Sequence, residues 1–371
     1  MRRRSTKERV VAAAHRRSAR RGSSAAFALV VAGLAVSPLR ASDESALYRE
    51  LGFTVPERPR AVAAVDQGGV AGVVVAGKRT LYVLPLEIAA GPGGAVSDLR
   101  GDEPRRVPIP PEHGYLLSLA ACIDLAAPCK TKSLFAGTSS GAVLEIDLSA
   151  ENPIVGQWTV EGRARHMTVA PSGLVAVAAD KVSLWDGLER TPIRTIEGSG
   201  IPATSVSMDL VCDEEYGEHR LLMIAGRIIE MWDADSGSLL GRIKMPTPTV
   251  ASAMAHDEEA LHVTGNDYDI VFRRGEDISA EERGLTVREA VALFTANPGQ
   301  ILVFHDGVPG GEIRGFPSPE PTLPVGAPGI PVAATVTPHA VVIVYKDGTL
   351  GAIRTSGLDL PPVAVSAVEE D

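Results

Sequence analysis

The residues best placed for metal chemistry in this sequence are two histidines and one acidic segment. His256 and His262 flank three acidic residues, but their spacing differs from the His-Glu-x-x-His pattern that places two imidazoles on one helix face. The segment 266–269 supplies oxygen ligands without the spacing of a calcium loop. We therefore expect polar loops at both places, with no metal and no cofactor.

Motifs for nucleotide chemistry are also missing from the sequence. It has no Gly-x-x-x-x-Gly-Lys-Ser/Thr loop and no Gly-x-Gly-x-x-Gly that opens a helix. We expect a binding module and not an enzyme. The alternative is a hydrolase, lyase or quinoprotein-like enzyme with a site in a central channel, because one fold hosts many activities.

The three cysteines indicate one disulfide. Cys122 ends a predicted strand and Cys129 precedes the next strand, so a bond between them would close a small loop. Cys212 falls at nearly the same repeat position two repeats later, and we expect it to be free. Such a bond is typical of an oxidising compartment. Three buried thiols are the alternative.

The dominant pattern is a repeat in which an apolar strand, a tight polar turn and a second strand recur seven times. The turns centre near Gly77, Gly137, Ala179, Gly226, Gly265, His305 and Asp347, 39–60 residues apart. Each copy has room for an inner and an outer strand, and four strands at a period of about 40–45 residues are typical of propellers. The sequence thus predicts an all-β fold, a single β-propeller of about seven four-stranded blades over residues 58–368, and a monomeric ring.

Two Trp-Asp pairs end third strands of this repeat. They are Trp185-Asp186 and Trp232-Asp233. On these residues the chain resembles the WD-repeat propellers, most clearly over 133–245, and the resemblance implies that all four residues are structural. The sequence has no Gly-His dipeptide, so the polar network usual in that family is incomplete. A quinoprotein-like or other bacterial propeller is the alternative.

The first 41 residues have the order of a signal peptide. They carry ten Lys or Arg and one acid, and the apolar segment 25–36 precedes Pro38 and the small residue Ala41. Its twelve residues are fewer than the ~20 that a membrane-spanning helix needs. We predict cleavage after Ala41, export to the periplasm or outside the cell, and a polar leader over 42–57. A signal anchor, which would tie the protein to the membrane, or a transit peptide is the alternative.

From residue 42 onward the chain is strongly acidic. It holds 26 basic and 45 acidic residues, a net charge of −19. This charge repels phosphate backbones and argues against nucleic acid as a partner. One face of the predicted propeller nevertheless gathers Lys78, Arg79, Arg165, His166, Arg227 and Lys346. A cationic patch can steer an acidic partner, so we predict a scaffold that docks a protein or acidic surface polymer there. Ordinary surface charges are the alternative.

Overall fold

The structure is a computed structural model in which strands and turns dominate. Apart from one 3₁₀ turn at Pro111–His113, the regular elements of the described residues are all β-strands. The described residues are 48–67, 70–90, 96–101, 104–122, 129–198, 200–201, 203, 205–210, 219–244, 253–256, 260–264, 269–273, 280–283, 290–297, 300–305, 311–315, 321–325, 329–337 and 340–354. The fold is all-β, as predicted.

The described strands form seven antiparallel sheets, named here I to VII in chain order. The first strand, β1 (Tyr48–Thr54), belongs to the last sheet. Sheet I comprises β2 (Ala61–Gln67), β3 (Val70–Ala76), β4 (Thr80–Ala90), β5 (Val96–Gly101) and β6 (Arg105–Pro108). Sheet II comprises β7 (Leu116–Ala121), β8 (Leu134–Thr138), β9 (Ala142–Ile146) and β10 (Ile154–Thr159). Sheet III comprises β11 (His166–Val169), β12 (Leu174–Ala178), β13 (Val182–Asp186) and β14 (Thr191–Ile196).

The remaining sheets repeat the same consecutive order. Sheet IV comprises β15 (Ser205–Leu210), β16 (His219–Ala225), β17 (Ile228–Asp233) and β18 (Leu239–Lys244). Sheet V comprises β19 (Ala253–His256), β20 (Ala260–Thr264), β21 (Asp269–Arg273) and β22 (Ala280–Arg283). Sheet VI comprises β23 (Ala290–Asn297), β24 (Gln300–His305), β25 (Gly311–Gly315) and β26 (Pro321–Val325). Sheet VII comprises β27 (Pro331–Val336), β28 (Ala340–Tyr345), β29 (Thr349–Arg354) and β1.

Burial differs between the strands of one sheet. The second strands β8, β12 and β28 are buried along their whole length, whereas the outer strand β14 is exposed except for Ile196. A strand buried on both faces is covered by a sheet on each side, which explains its continuous run of Val, Ile, Leu and Ala. Neighbouring sheets therefore cover one another face to face.

The apolar core consists of layers between consecutive sheets. Separate clusters join sheets I with II, II with III, and III with IV. A further cluster joins the last sheet with the first, where Val342 and Val344 pack with Val73 and Leu84. The first strands of sheets I to IV contact one another in order, as do those of sheets V, VI, VII and I.

The strand β1 lies in the segment expected to be a polar leader. It pairs with β29, with Tyr48 opposite Ile353 and Arg49 opposite Ala352. Leu51 of this strand is buried in the cluster between sheets VII and I. About half of the segment expected to be a leader is thus a strand that pairs with a strand about 300 residues away, and no local pattern announces such pairing.

Sheet I explains the long first spacing of the repeat. Its third strand β4 has 11 residues and pairs with three partners. The far half of β4 pairs with β5, and the near half pairs with β6, which occupies the outer position that a fourth strand takes elsewhere. An inserted hairpin thus lengthens this repeat without changing the order of its sheet.

Candidate docking face

The six residues predicted to form a cationic face lie at one end of the sheets, here called the upper face. This face carries the turns between second and third strands and the connections that enter first strands. Lys78 and Arg79 lie in the β3–β4 turn, Arg227 in the β16–β17 turn and Lys346 in the β28–β29 turn. Arg165 immediately precedes β11, and His166 begins it.

Backbone hydrogen bonds tie the loops of the first three sheets together at the upper face. The Leu116 N–H donates to the Lys78 carbonyl at 3.0 Å, and the Ala164 N–H donates to the Thr138 carbonyl at 3.1 Å. Each bond joins a connection to a turn between second and third strands. The positions of the charged side chains are therefore set by neighbouring repeats as well as by their own.

Three cations surround one exposed phenol ring at the boundary of sheets I and II. The Lys78 Nζ lies 4.5 Å from the centre of the Tyr115 ring, the Arg79 Cζ at 4.9 Å and the Arg60 Cζ at 6.0 Å. The ring itself is 38% exposed. We call Arg60, Lys78, Arg79 and Tyr115 the cation–aromatic cluster. Each cation within about 6 Å of a ring face is attracted by the ring's quadrupole.

Hydrogen bonds hold the cluster in place. The Tyr115 N–H donates to Ser139 Oγ at 2.9 Å, and Arg79 Nε donates to the Gly114 carbonyl at 3.3 Å. Glu57 is the nearby acid, but both of its oxygens accept hydrogen bonds, from the Lys78 N–H at 2.7 Å and from the Tyr82 hydroxyl at 2.9 Å. Burial, and then the hydrogen bond to Glu57, raise the pKa of Tyr82, so its phenol stays protonated as the donor.

The rest of the upper face is less cationic than predicted. Burial, and then the neighbouring charge of Arg165, lower the pKa of His166, so this imidazole is neutral at neutral pH. His166 was predicted as one of the cations of this face, and its lowered pKa reduces the positive charge that it contributes at neutral pH. Arg165, Arg227 and Lys346 lie in other loops of the upper face, whereas the cations around the Tyr115 ring are Arg60, Lys78 and Arg79.

Two clefts open on either side of sheet III near the same end. A cleft of about 410 Å³ is lined by Asp180, Lys181 and Glu197 among others, and one of about 300 Å³ is lined by Glu161, Lys181 and Glu197. Lys181 and Glu197 form an exposed ion pair at 2.9 Å. Acidic groups therefore outnumber Lys181 in both clefts, and an anionic ligand is better served at the boundary of sheets I and II.

The two Trp-Asp pairs have separate tasks within their strands. Trp185 stacks on Trp158 of the preceding sheet, with ring centres 5.5 Å apart, and its Nε1 donates to Ser183 Oγ at 2.8 Å. Asp186 closes the next turn by accepting the N–H groups of Leu188 and Glu189. Asp233 likewise accepts N–H groups of its turn, while Trp232 Nε1 donates to Glu230 Oε2 at 3.3 Å. In both pairs the tryptophan packs between sheets and the aspartate caps a turn.

Two further sequence predictions concern the pairing of the cysteines and the candidate metal ligands. Cys122 and Cys129 are joined by a disulfide after β7, with their Cα atoms 5.9 Å apart. Cys212 lies outside the described residues. Within the described ranges, no group of three or more His, Cys, Asp or Glu side chains is placed to hold a metal ion, and no helix has the length and apolarity of a membrane span.

Sequence reasoning missed two members of the cation–aromatic cluster. Arg60 precedes the first strand of sheet I, and Tyr115 precedes the first strand of sheet II. Both residues lie just before an expected inner strand, and this shared position in the repeat could have placed them on the upper face. The chain matches no family of known proteins and no curated protein sequence.

Proposed function

We propose that this chain is a seven-bladed β-propeller with WD-repeat-like blades whose upper face is a docking surface that performs no chemistry. The support for the ring is the seven-fold recurrence of one sheet order, the core layer between the last and first sheets, and the pairing of β1 with β29. Such pairing joins the first and the last described strands within one sheet. Each of sheets I to VII would then be one blade.

The proposed partner is an acidic protein or acidic surface polymer. The observation that carries this proposal is the cation–aromatic cluster, in which three cations lie within 6.0 Å of one exposed ring. A body of net charge −19 repels an acidic chain overall, so a patch of three cations is a place where local attraction can direct its binding. The exposed ring adds apolar contact area, and the guanidinium groups bind carboxylates in a planar geometry.

The proposed setting is outside the cytoplasm. The expected signal over residues 1–41 and the disulfide between Cys122 and Cys129 both favour an oxidising compartment. The periplasm or the exterior would supply acidic polymers and envelope proteins as partners.

Binding to a short poly-glutamate probe tests the docking proposal. We expect the double variant Lys78→Glu/Arg79→Glu to weaken binding by at least about tenfold, because two attractive charges become repulsive. Added salt should weaken the wild-type interaction, since exposed charges are screened. Tyr115→Phe should bind like the wild type, whereas Tyr115→Ala should bind less well, because cation–π attraction needs the ring and not the hydroxyl.

The control is Lys130→Glu, which reverses one exposed lysine between β7 and β8, at the end of the sheets opposite the upper face, and it is compared with the single variant Lys78→Glu. Arg190 and Arg194 are unsuitable controls, because they bond to Glu145 and to the Asp235 carbonyl across sheet boundaries. Equal losses from Lys130→Glu and from the cluster variant, or no loss from either, would contradict the proposed site.

A further inference from the structure

The end of the sheets opposite the upper face brings together a serine, a histidine and an aspartate at the boundary of sheets III and IV. Ser172 Oγ lies 2.6 Å from His219 Nε2, and His219 Nδ1 lies 3.0 Å from Asp235 Oδ1. These three residues come from three separate turns or strand ends. The distances are those of a nucleophile, a base and a group that orients the base.

Backbone hydrogen bonds hold all three residues in place. Ser172 occupies a tight turn closed by the Gly173 N–H, which donates to the Ala170 carbonyl at 2.9 Å, and Gly173 has the positive φ of 90° that this turn needs. His219 begins β16, and its N–H donates to Asp235 Oδ2 at 3.0 Å. The Asp235 N–H donates to Asp233 Oδ1 at 2.9 Å. The aspartate of the second Trp-Asp pair thus positions the turn that holds Asp235.

The protonation pattern of the imidazole follows from its partners. An ionised carboxylate only accepts hydrogen bonds, so His219 Nδ1 must carry a proton that it donates to Asp235. In the neutral ring Nε2 then has a free lone pair, which accepts the hydroxyl proton of Ser172. The His219 side chain is only 13% exposed, so water competes weakly for this orientation.

We infer that Ser172 is a nucleophile that His219 activates as a general base and that Asp235 serves as the positioning residue. The substrate class is small esters with an activated leaving group. Ser172 Oγ would attack the carbonyl carbon and form an acyl–oxygen bond while its proton passes to His219 Nε2. The ester bond then breaks, the leaving group takes that proton, and water releases the acyl group by the reverse proton path.

Two neighbouring side chains suit this substrate class. The Leu188 Cγ and the Lys130 Cβ each lie 3.8 Å from the point that a Cβ on Gly173 would occupy. Leu188 is 50% exposed and offers an apolar contact for an acyl group beside this turn, and Lys130 is an exposed residue on the same side of it. This site lies at the boundary of sheets III and IV, at the end of the sheets opposite the upper face, whereas the cation–aromatic cluster lies at the boundary of sheets I and II. The site would therefore act independently of docking.

Labelling with a fluorophosphonate reagent tests this inference on the full chain. The reagent forms a phosphorus–oxygen bond with an activated serine and expels fluoride, while the serine proton passes to the base. We expect one label on Ser172, located by peptide mass spectrometry, and no label there in Ser172→Ala. His219→Gln should slow labelling about 100-fold, the usual contribution of a general base, and Asp235→Asn should slow it less.

Ser149→Ala is the matched control. Ser149 Oγ is exposed and donates to Asp147 at 2.6 Å, so it has a carboxylate beside it and no imidazole. Its loss should leave labelling unchanged. Circular dichroism on each variant verifies folding, and if His219→Gln unfolds, Asp235→Asn decides the question. A Ser172 label that forms no faster than one on Ser149, or no label on Ser172 in the folded protein, would overturn the inference and leave the three residues as a bridge between sheets.

Ser139 lies in a sequence motif typical of nucleophilic serines, but its hydrogen bonds differ from those of Ser172. Residues 137–141 have the Gly-x-Ser-x-Gly spacing of a nucleophile elbow. They form the turn between β8 and β9, and Ser139 Oγ accepts the Tyr115 N–H at 2.9 Å. An elbow needs a turn from a strand into a helix, so we expect no label on Ser139.

Discussion

At the residue scale, two third strands each carry a buried carboxylate. Glu230 is 1% exposed and accepts Arg242 Nη2 at 2.6 Å, and these two residues are directly opposite in the register of β17 and β18. Glu145 is 8% exposed and accepts Arg190 Nε from the neighbouring sheet III at 2.5 Å. A buried carboxylate without a charged partner would keep the full cost of leaving water. The ion pairs with arginine thus offset the desolvation cost of these two buried carboxylates.

Removing the partner of Glu230 should destabilise the protein. We expect Arg242→Met to lower the free energy of unfolding by about 2 kcal/mol, because the buried carboxylate loses its charged hydrogen bonds. Chemical denaturation measures this loss. Lys181→Met breaks the exposed ion pair with Glu197 and should cause no measurable change, and the double variant Glu230→Leu/Arg242→Met should recover part of the loss. Equal effects of Arg242→Met and Lys181→Met would contradict this account.

Single residues mark the limit of what the sequence could predict about the sites. Lys78 and Arg79 were predicted together because they are adjacent in one turn. Ser172 and His219 were not, since they are 47 positions apart and meet only where sheet III packs on sheet IV. The turn signal Pro-Ser-Gly was visible in the sequence, but nothing local names the imidazole that reaches it. Contacts between repeats are set by packing, which a repeat pattern does not encode residue by residue.

At the scale of elements, most strands followed from the sequence pattern, and the inserted hairpin of sheet I did not. An inner strand was expected in each repeat, and β2, β15 and β27 are examples of it. Alternation and apolar runs bounded by turns were sufficient there, because each strand satisfies its own sheet. The inserted hairpin of β4 and β5 was visible in the sequence only as an unusually long spacing between two repeats. An insertion interrupts the repeat period, and no residue pattern in it indicated a hairpin.

The disulfide after β7 links the end of that strand to the segment before β8, and its removal should destabilise sheet II. Its sequence separation of 7 closes a short loop, for which the chain-entropy estimate is about 2.5 kcal/mol. We expect Cys122→Ser/Cys129→Ser to lower the free energy of unfolding by about that amount, whereas Cys212→Ser should change it little. Denaturation without reductant measures the loss. Peptide mapping without reductant should show the linked pair, and alkylation of all three cysteines would contradict it.

At the scale of the whole molecule, sheet VII is completed by a strand that lies far from its other strands in the sequence. Its outer strand is β1, which covers the edge of β29. Without β1, the N–H and C=O groups along that edge of β29 would be unpaired and open to other chains. The strands β1 and β29 therefore stabilise each other, and this pairing was the feature hardest to foresee from a polar segment such as 42–57.

Deleting residues 48–54 should weaken the whole fold. The deletion exposes β29 and removes Leu51, whose burial alone contributes about 2 kcal/mol. We expect a lower midpoint of denaturation and, by size-exclusion chromatography, association through the exposed edge. The deletion is made in a chain that starts at residue 46, and the same chain with β1 intact is the matched control. Leu51→Ala should cost less than the deletion, because it removes the side chain and keeps the backbone pairing. A deletion variant as stable and as monomeric as the control would show that β1 does not close the fold.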